Sequence, residues 1–173
     1  ILHIGIGGSA LGPDLIIDAL DGDGIRYDVA IVSNVDGTAL ERAMDSFDPE
    51  YTLIAVASKT FTTTETMLNA ASAINWMVEA GVEDPYGRVI ALTASPDKAI
   101  EWGVDETRVL PFAESVGGRY SLWSSIGFPA ALSLGWDAFE SLLEGAAAMD
   151  RHFRLSDPRE NAPLIAAFVD QYY

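Results

Sequence analysis

Thr52-Leu53-Ile54-Ala55-Val56-Ala57-Ser58-Lys59-Thr60-Phe61-Thr62-Thr63-Thr64-Glu65-Thr66 is two kinds of sequence joined end to end. The first half is a short, unbroken apolar run with β-branched residues and polar ends, the pattern of a parallel strand covered on both faces. The second half crowds the hydroxyls of Ser58, Thr60, Thr62, Thr63, Thr64 and Thr66 around Lys59. A helical pattern follows from about Glu65 to Ala80. Strand, hydroxyl loop and helix N-terminus in that order make an anion site, because first-turn N–H groups lack helical partners and the helix dipole is positive there. Hydroxyl donors and Lys59 would complete a cradle for a phosphate. The same letters, Thr62-Thr63-Thr64-Glu65, also spell a capping box with Thr62 at the N-cap and Glu65 reaching back. A cap engages one threonine and leaves Ser58, Thr60 and Thr63 without a role.

Working outward, the stretch before it repeats the layout. Ile1 to Ile6 reads as a strand and leads into Gly5-Ile6-Gly7-Gly8-Ser9-Ala10-Leu11-Gly12-Pro13. Pro13 suits the first turn of a helix, where a missing N–H is harmless. Leu15, Ile16, Ala19 and Leu20 keep helical spacing until Asp21-Gly22-Asp23-Gly24 stops them. Glycines between strand and helix let backbone approach a ligand closely. Gly5-x-Gly7-x-x-Ala10 also fits a dinucleotide fingerprint, which expects an acidic residue at the end of the second strand. That strand, Tyr27 to Val32, is followed by Ser33-Asn34-Val35-Asp36-Gly37-Thr38. Asp36 comes late for a ribose contact and stands where it would open the next helix, Thr38 to Phe47.

Beyond the organising stretch, Arg88 to Thr93 reads as a fourth strand, Ser95 to Trp102 as a short helix, and Thr107 to Pro111 as a fifth strand. Strands alternating with helices predict a three-layer α/β/α sandwich on a five-stranded parallel sheet. Ligands of such sheets sit beyond the carboxyl ends of the strands, where strand order reverses. The Gly8-Ser9 and Ser58–Thr63 loops both follow strands and so share that edge. After the fifth strand comes Gly117-Gly118-Arg119-Tyr120-Ser121-Leu122-Trp123-Ser124. Paired glycines free the backbone to place the Arg119 guanidinium, whose forked donors suit oxygen anions. A salt bridge to one of the many carboxylates is the alternative use of Arg119. The remainder, Pro129–Leu134, Asp137–Phe153 and Pro163–Tyr173, reads as extra C-terminal helices.

Composition narrows the function. The net charge of −16 argues against nucleic acid, whose binders need a basic face. An anion entering so acidic a chain needs backbone N–H groups and a few placed cations to outweigh general repulsion. Cysteine is absent, which removes disulfide and thiolate chemistry, and two histidines make a histidine-rich metal site an unfavoured expectation. No apolar run approaches the roughly 20 residues of a membrane span. A cytoplasmic protein is expected. The chain opens on a strand without an initiator methionine and closes within a helix, so both ends are expected to be cuts through a larger two-domain protein.

Three blocks in order, Gly5-Ile6-Gly7-Gly8-Ser9 with Leu11-Gly12-Pro13, Ser58 to Thr66, and Gly117 to Ser124, resemble the first sugar-isomerase (SIS) domain of the phosphoglucose isomerase family. Ser33 to Thr38 and Met149-Asp150-Arg151-His152-Phe153-Arg154 resemble further family blocks, so the likeness covers essentially residues 1–173. It implies a flavodoxin-like SIS domain and the interconversion of glucose 6-phosphate and fructose 6-phosphate in glycolysis and gluconeogenesis. The route implied is a cis-enediol(ate), with no metal or organic cofactor. By the same resemblance Ser9, Ser58, Thr60 and Thr63 hold the phosphate, with Lys59 contributing through its backbone. Gly8 lines the sugar pocket, and Arg119 stabilises charge on the enediolate oxygens. The larger protein is expected to be a homodimer with a composite active site.

The family's base is a glutamate in a Glu-Ser-Asn-Gly block. A histidine contributed across the dimer interface opens the ring, and a further lysine lies near the C-terminus. None of those blocks occurs here, and neither Glu65 nor His152 matches the missing roles. The chain alone is therefore expected to bind a phosphosugar without isomerising it. A regulatory SIS module that senses phosphosugars is the alternative class, and a nicotinamide-dependent dehydrogenase is a third.

Overall fold

The computed structural model describes residues 1–20 and 26–173. The expected helix stop at Asp21-Gly22-Asp23-Gly24 lies outside the described residues. The chain divides into two compact units, Ile1–Gly135 and Trp136–Tyr173.

In the first unit β1 (Leu2–Gly5), β2 (Ala30–Val32), β3 (Ile54–Ala57), β4 (Val89–Thr93) and β5 (Val109–Pro111) pair in parallel, in the order β2-β1-β3-β4-β5. Helices α1 (Gly8–Ala19), α2 (Gly37–Met44), α3 (Thr64–Glu79), α4 (Pro96–Trp102) and α5 (Phe128–Leu134) cover it. The three-layer α/β/α sandwich expected from the alternation is the observed fold.

Strand periodicity assigns the layers. Leu2, Ile4, Ile54, Val56, Val89 and Ala91 point to one face and form a core with α2, α3 and α4, through Leu40, Met77 and Ala99. The alternate residues Ala55, Ala57 and Leu92 point to the other face and meet Ile126 and Phe128. Small residues there let neighbouring backbone come close. A β-carbon on Gly5 would stand 2.8 Å from the Ser9 carbonyl and 3.1 Å from the Ala57 β-carbon, so α1 rests almost directly on the sheet.

Several boundaries differ from the sequence expectation. The second strand begins at Ala30 rather than Tyr27, and the fifth at Val109, because Glu106–Arg108 forms a 3-10 turn held by the Asp105 side chain. Pro13 does not start α1. The helix begins at Gly8 and carries Pro13 inside it. Asp36 is the N-cap of α2, its carboxylate accepting from the Thr38 and Ala39 N–H groups at 2.9 and 3.4 Å.

The second unit holds α6 (Trp136–Leu155) and α7 (Ala162–Tyr172), the extra C-terminal helices. His152 joins them: the Ala162 N–H donates to its Nε2 at 3.0 Å, which leaves the ring proton on Nδ1, 2.9 Å from Ser156 Oγ. Asn161 caps α7 through Leu164 N–H and donates to the Phe153 carbonyl at 2.7 Å. Helix α7 buries none of its residues within the chain. Among the described residues no helix is long and apolar enough to cross a membrane.

Candidate functional site

The strand order places the reversal between β1 and β3, since β1 connects outward to β2 and β3 continues the other way. At such a point the two following loops diverge to opposite faces and leave a crevice. The loop after β1 carries Gly7, Gly8 and Ser9, and the loop after β3 carries Ser58 to Thr63. The two sequence-predicted loops therefore flank one crevice.

The loop after β3 is built by a reversal at Phe61. Its backbone sits at φ 51°, the left-handed region that non-glycine residues rarely enter. Burial compensates. The ring is only 4% exposed and meets Trp102 edge-on at 6.0 Å. With that ring in the core, Thr60 and Thr62 on either side stay exposed. Ser58, buried, donates its N–H to the Leu92 carbonyl at 3.1 Å. The Lys59 carbonyl accepts from the Ala94 N–H and the Thr93 hydroxyl, at 3.0 and 3.2 Å, so the end of β4 clamps the loop.

The hydroxyls are paired. Ser58 Oγ and Thr63 Oγ1 lie 3.0 Å apart, and Thr62 donates to Thr60 at 2.9 Å. Each mutual bond uses one of two O–H groups, so each pair keeps one donor for an oxyanion. The capping box does not form. Thr63, not Thr62, is the N-cap, and it makes no side-chain cap bond. Its hydroxyl goes to Ser58 instead, which leaves the first-turn N–H groups of α3 free of side-chain partners, with Glu65 exposed.

The third block joins through backbone. Gly118–Trp123 is a 3-10 helix, and Ser121 Oγ, buried in it, lies 2.6 Å from the Gly118 carbonyl and 3.1 Å from that of Gly8. A β-carbon on Gly8 would overlap the Gly118 carbonyl and come within 2.8 Å of the Arg119 nitrogen. One on Gly12 would press on Leu122 at 3.0 Å. Glycine is needed at position 8 for close approach of two backbones. Lys59 ties the same segment from the other side, its Nζ donating to the Val116 carbonyl at 3.0 Å. The residues alone place Lys59 in the phosphate cradle and the resemblance implies a backbone contribution; this side-chain staple, 57 residues away along the chain, has no local signal. Arg119 itself is exposed, and among the described residues the only salt bridge joins Arg88 to Glu50 at 2.8 Å. The salt-bridge alternative for Arg119 is not realised among them.

His3 escaped the sequence reading. Fully buried on β1, it donates from Nε2 to the Ser9 carbonyl at 2.7 Å, and its Nδ1 has no hydrogen-bond partner among the described residues. Burial lowers its pKa to about 4, against the opposing effect of the Ser9 bond. The signal available was a histidine inside an apolar strand, two residues before Gly5.

A concavity of about 650 Å³ lies at the opposite edge of the sheet, lined by Ile1, Tyr27, Asp28 and Leu53 at the strands' amino ends. It carries neither the hydroxyl pairs nor a helix N-terminus.

Residues 1–173 match the family model described as Phosphoglucose isomerase. The chain is 75% identical over 173 residues to the glucose-6-phosphate isomerase of Rhizorhabdus wittichii, covering 100% of this chain and 35% of that protein. It is 71% identical to that of Zymomonas mobilis, covering all of this chain and 34% of the relative. The crystal structure of a glucose-6-phosphate isomerase from Chlamydia trachomatis superposes with a TM-score of 0.83 at 32% identity, over 96% of this chain and 32% of that one. The chain thus spans about a third of the length of these relatives. The family model matches the whole chain and the fold agrees over 96% of it: the chain belongs to the phosphoglucose isomerase family.

Proposed function

We propose that residues 1–173 form the phosphosugar-binding SIS domain of a glucose-6-phosphate isomerase, which interconverts glucose 6-phosphate and fructose 6-phosphate. The observation that carries the proposal is the meeting of the Gly8 loop with the Gly118–Arg119 backbone, beside the loop that holds the Ser58–Thr63 hydroxyl pair.

The phosphate lies at the N-terminus of α3, taking hydroxyl donors from Ser9, Ser58, Thr60 and Thr63 and backbone N–H groups around Lys59. Anchoring at this remote end leaves the sugar carbons to run past Gly8 toward Arg119. The chemistry is a shift of one proton between carbons and one between oxygens. A base removes the C2 proton of the open-chain aldose, and the electron pair forms the C1=C2 bond as the C1 carbonyl becomes an oxyanion. The proton is then returned at C1 while the C2 hydroxyl passes its proton to the C1 oxygen and becomes the ketone carbonyl, so atoms and electrons balance without an external oxidant. Arg119, charged throughout, is matched to the oxyanion that exists only along this path. The base and the ring-opening group belong to parts of the larger protein outside this chain. That protein acts as a cytoplasmic homodimer with a composite site.

Calorimetric titration of the chain with fructose 6-phosphate at low salt tests the binding half. Saturable heat is expected, and the Ser58→Ala/Thr63→Ala double variant should bind at least about tenfold more weakly, since bonds to charged groups exceed neutral ones. Unchanged affinity in the double variant would remove the phosphate from this loop. The chain by itself should show no isomerisation, because proton transfer needs a positioned group within hydrogen-bond reach. Turnover by the purified chain would contradict the division of labour proposed here.

A further inference from the structure

We propose that His3 is a positioning residue of the phosphosugar site, its Nε2–H holding the Ser9 carbonyl that Pro13 leaves without a helical partner. The inference rests on the phosphosugar reading of Ser9 given above.

In α1 the Ser9 carbonyl should accept from the N–H of the residue four positions on. That residue is Pro13, which has none. The orphaned oxygen also has little room for water. It faces β1 at Gly5, where even a β-carbon would stand 2.8 Å from it. His3 and Gly5 are two residues apart and so point to the same face of the strand. Glycine lets the helix descend onto the sheet, and histidine supplies the donor the helix lacks, at 2.7 Å.

The bond lands on the residue whose own hydroxyl is assigned to phosphate, in the first turn of the helix that meets Gly118 and Arg119. A turn with one carbonyl unpaired would be free to tilt or unwind. The Ser9 hydroxyl and the Gly8 backbone would move with it. His3 never touches the ligand and acts only through Ser9. Its second nitrogen, Nδ1, is buried and has no hydrogen-bond partner among the described residues, so the ring is placed for one donation and no other hydrogen bond.

Two measurements on the intact chain test this. The first is ¹⁵N-edited NMR of the imidazole at neutral pH, where a single Nε2–H tautomer is expected; a proton on Nδ1 would overturn the inference whatever the variants do. The second is calorimetric affinity for fructose 6-phosphate of the wild type, His3→Met and His3→Gln, measured well below each unfolding midpoint. Methionine fills the space without a donor, and glutamine carries its amide N–H about as far out as Nε2. His3→Met should weaken binding about tenfold, as losses of an outer supporting bond commonly do, and His3→Gln should restore most of it. Equal affinity for wild type and His3→Met would overturn the positioning role and leave the phosphosugar reading standing. Absence of binding by the wild type would overturn that reading, and the positioning role with it.

Discussion

Gly8→Ala is expected to destabilise the first unit by about 3 kcal/mol, whereas Gly118→Ala, at the other side of the same contact, should stay within about 0.5 kcal/mol of wild type. The asymmetry comes from where the two β-carbons would point. At Gly8 the methyl would overlap the Gly118 carbonyl, and at Gly118 it meets nothing within 4 Å. The obstruction is backbone, so no rotamer change relieves it and the two segments must separate. That places the penalty near the top of the roughly 1–3 kcal/mol range for overpacking. Separation also removes the 3.1 Å limb, to the Gly8 carbonyl, of the bond that the single Ser121 O–H shares with the Gly118 carbonyl, worth at most about 1 kcal/mol. Against this, alanine in a helix gains up to about 1 kcal/mol over glycine. The steric loss wins. Affinity for fructose 6-phosphate should fall with stability, at least about tenfold, because Arg119 and Ser9 are held by the contact that opens. Urea unfolding of the two variants beside wild type checks the stability order. Equal midpoints would show that the loops are not seated on each other in solution.

Stability should also decline by about 3 kcal/mol as pH falls from about 6.5 to about 4, through His3 alone. The ring is buried, and a second proton would sit on Nδ1, where no acceptor waits among the described residues. Burial therefore holds His3 neutral in the folded chain down to about 4, while the unfolded chain protonates it near the ordinary 6.5. Between those values the unfolded state binds more protons than the folded one, so stability rises with pH across that window and is complete above it. Below about 4 both states are protonated and the contribution stops changing. Carboxylates titrate at the lower end of the same range, and with a net charge of −16 their protonation also relieves repulsion. The difference between wild type and His3→Gln isolates the histidine. Chemical denaturation at closely spaced pH values should give a steeper wild-type profile between about 6.5 and 4. Parallel profiles would mean that His3 is solvated or paired in the folded chain.

Much of the architecture is local information. The run Ile54–Ala57 is apolar on both faces, the glycines and prolines punctuate each strand and helix, and three polar blocks follow strand ends in order. Parallel strands and covered faces follow from these alone, and they bring the three polar blocks to the carboxyl edge of the sheet. The late position of Asp36 likewise told correctly that it opens a helix.

What local pattern misread was decided by partners distant in the chain. Pro13 by propensity belongs in a first turn, yet α1 starts at Gly8, because His3 on the strand below replaces the N–H that proline lacks. Thr62-Thr63-Thr64-Glu65 spells a capping box, yet Thr63 turns to Ser58, whose place is set by β4. Lys59 reaches Val116, and Gly8 is glycine because Gly118 lies against it. In each case a hydrogen bond or a steric contact across the fold outweighs a local preference of about a kilocalorie. Residue order by itself determined the sheet and its covering helices; packing of non-local backbone against backbone decided which of the groups at its carboxyl edge meet.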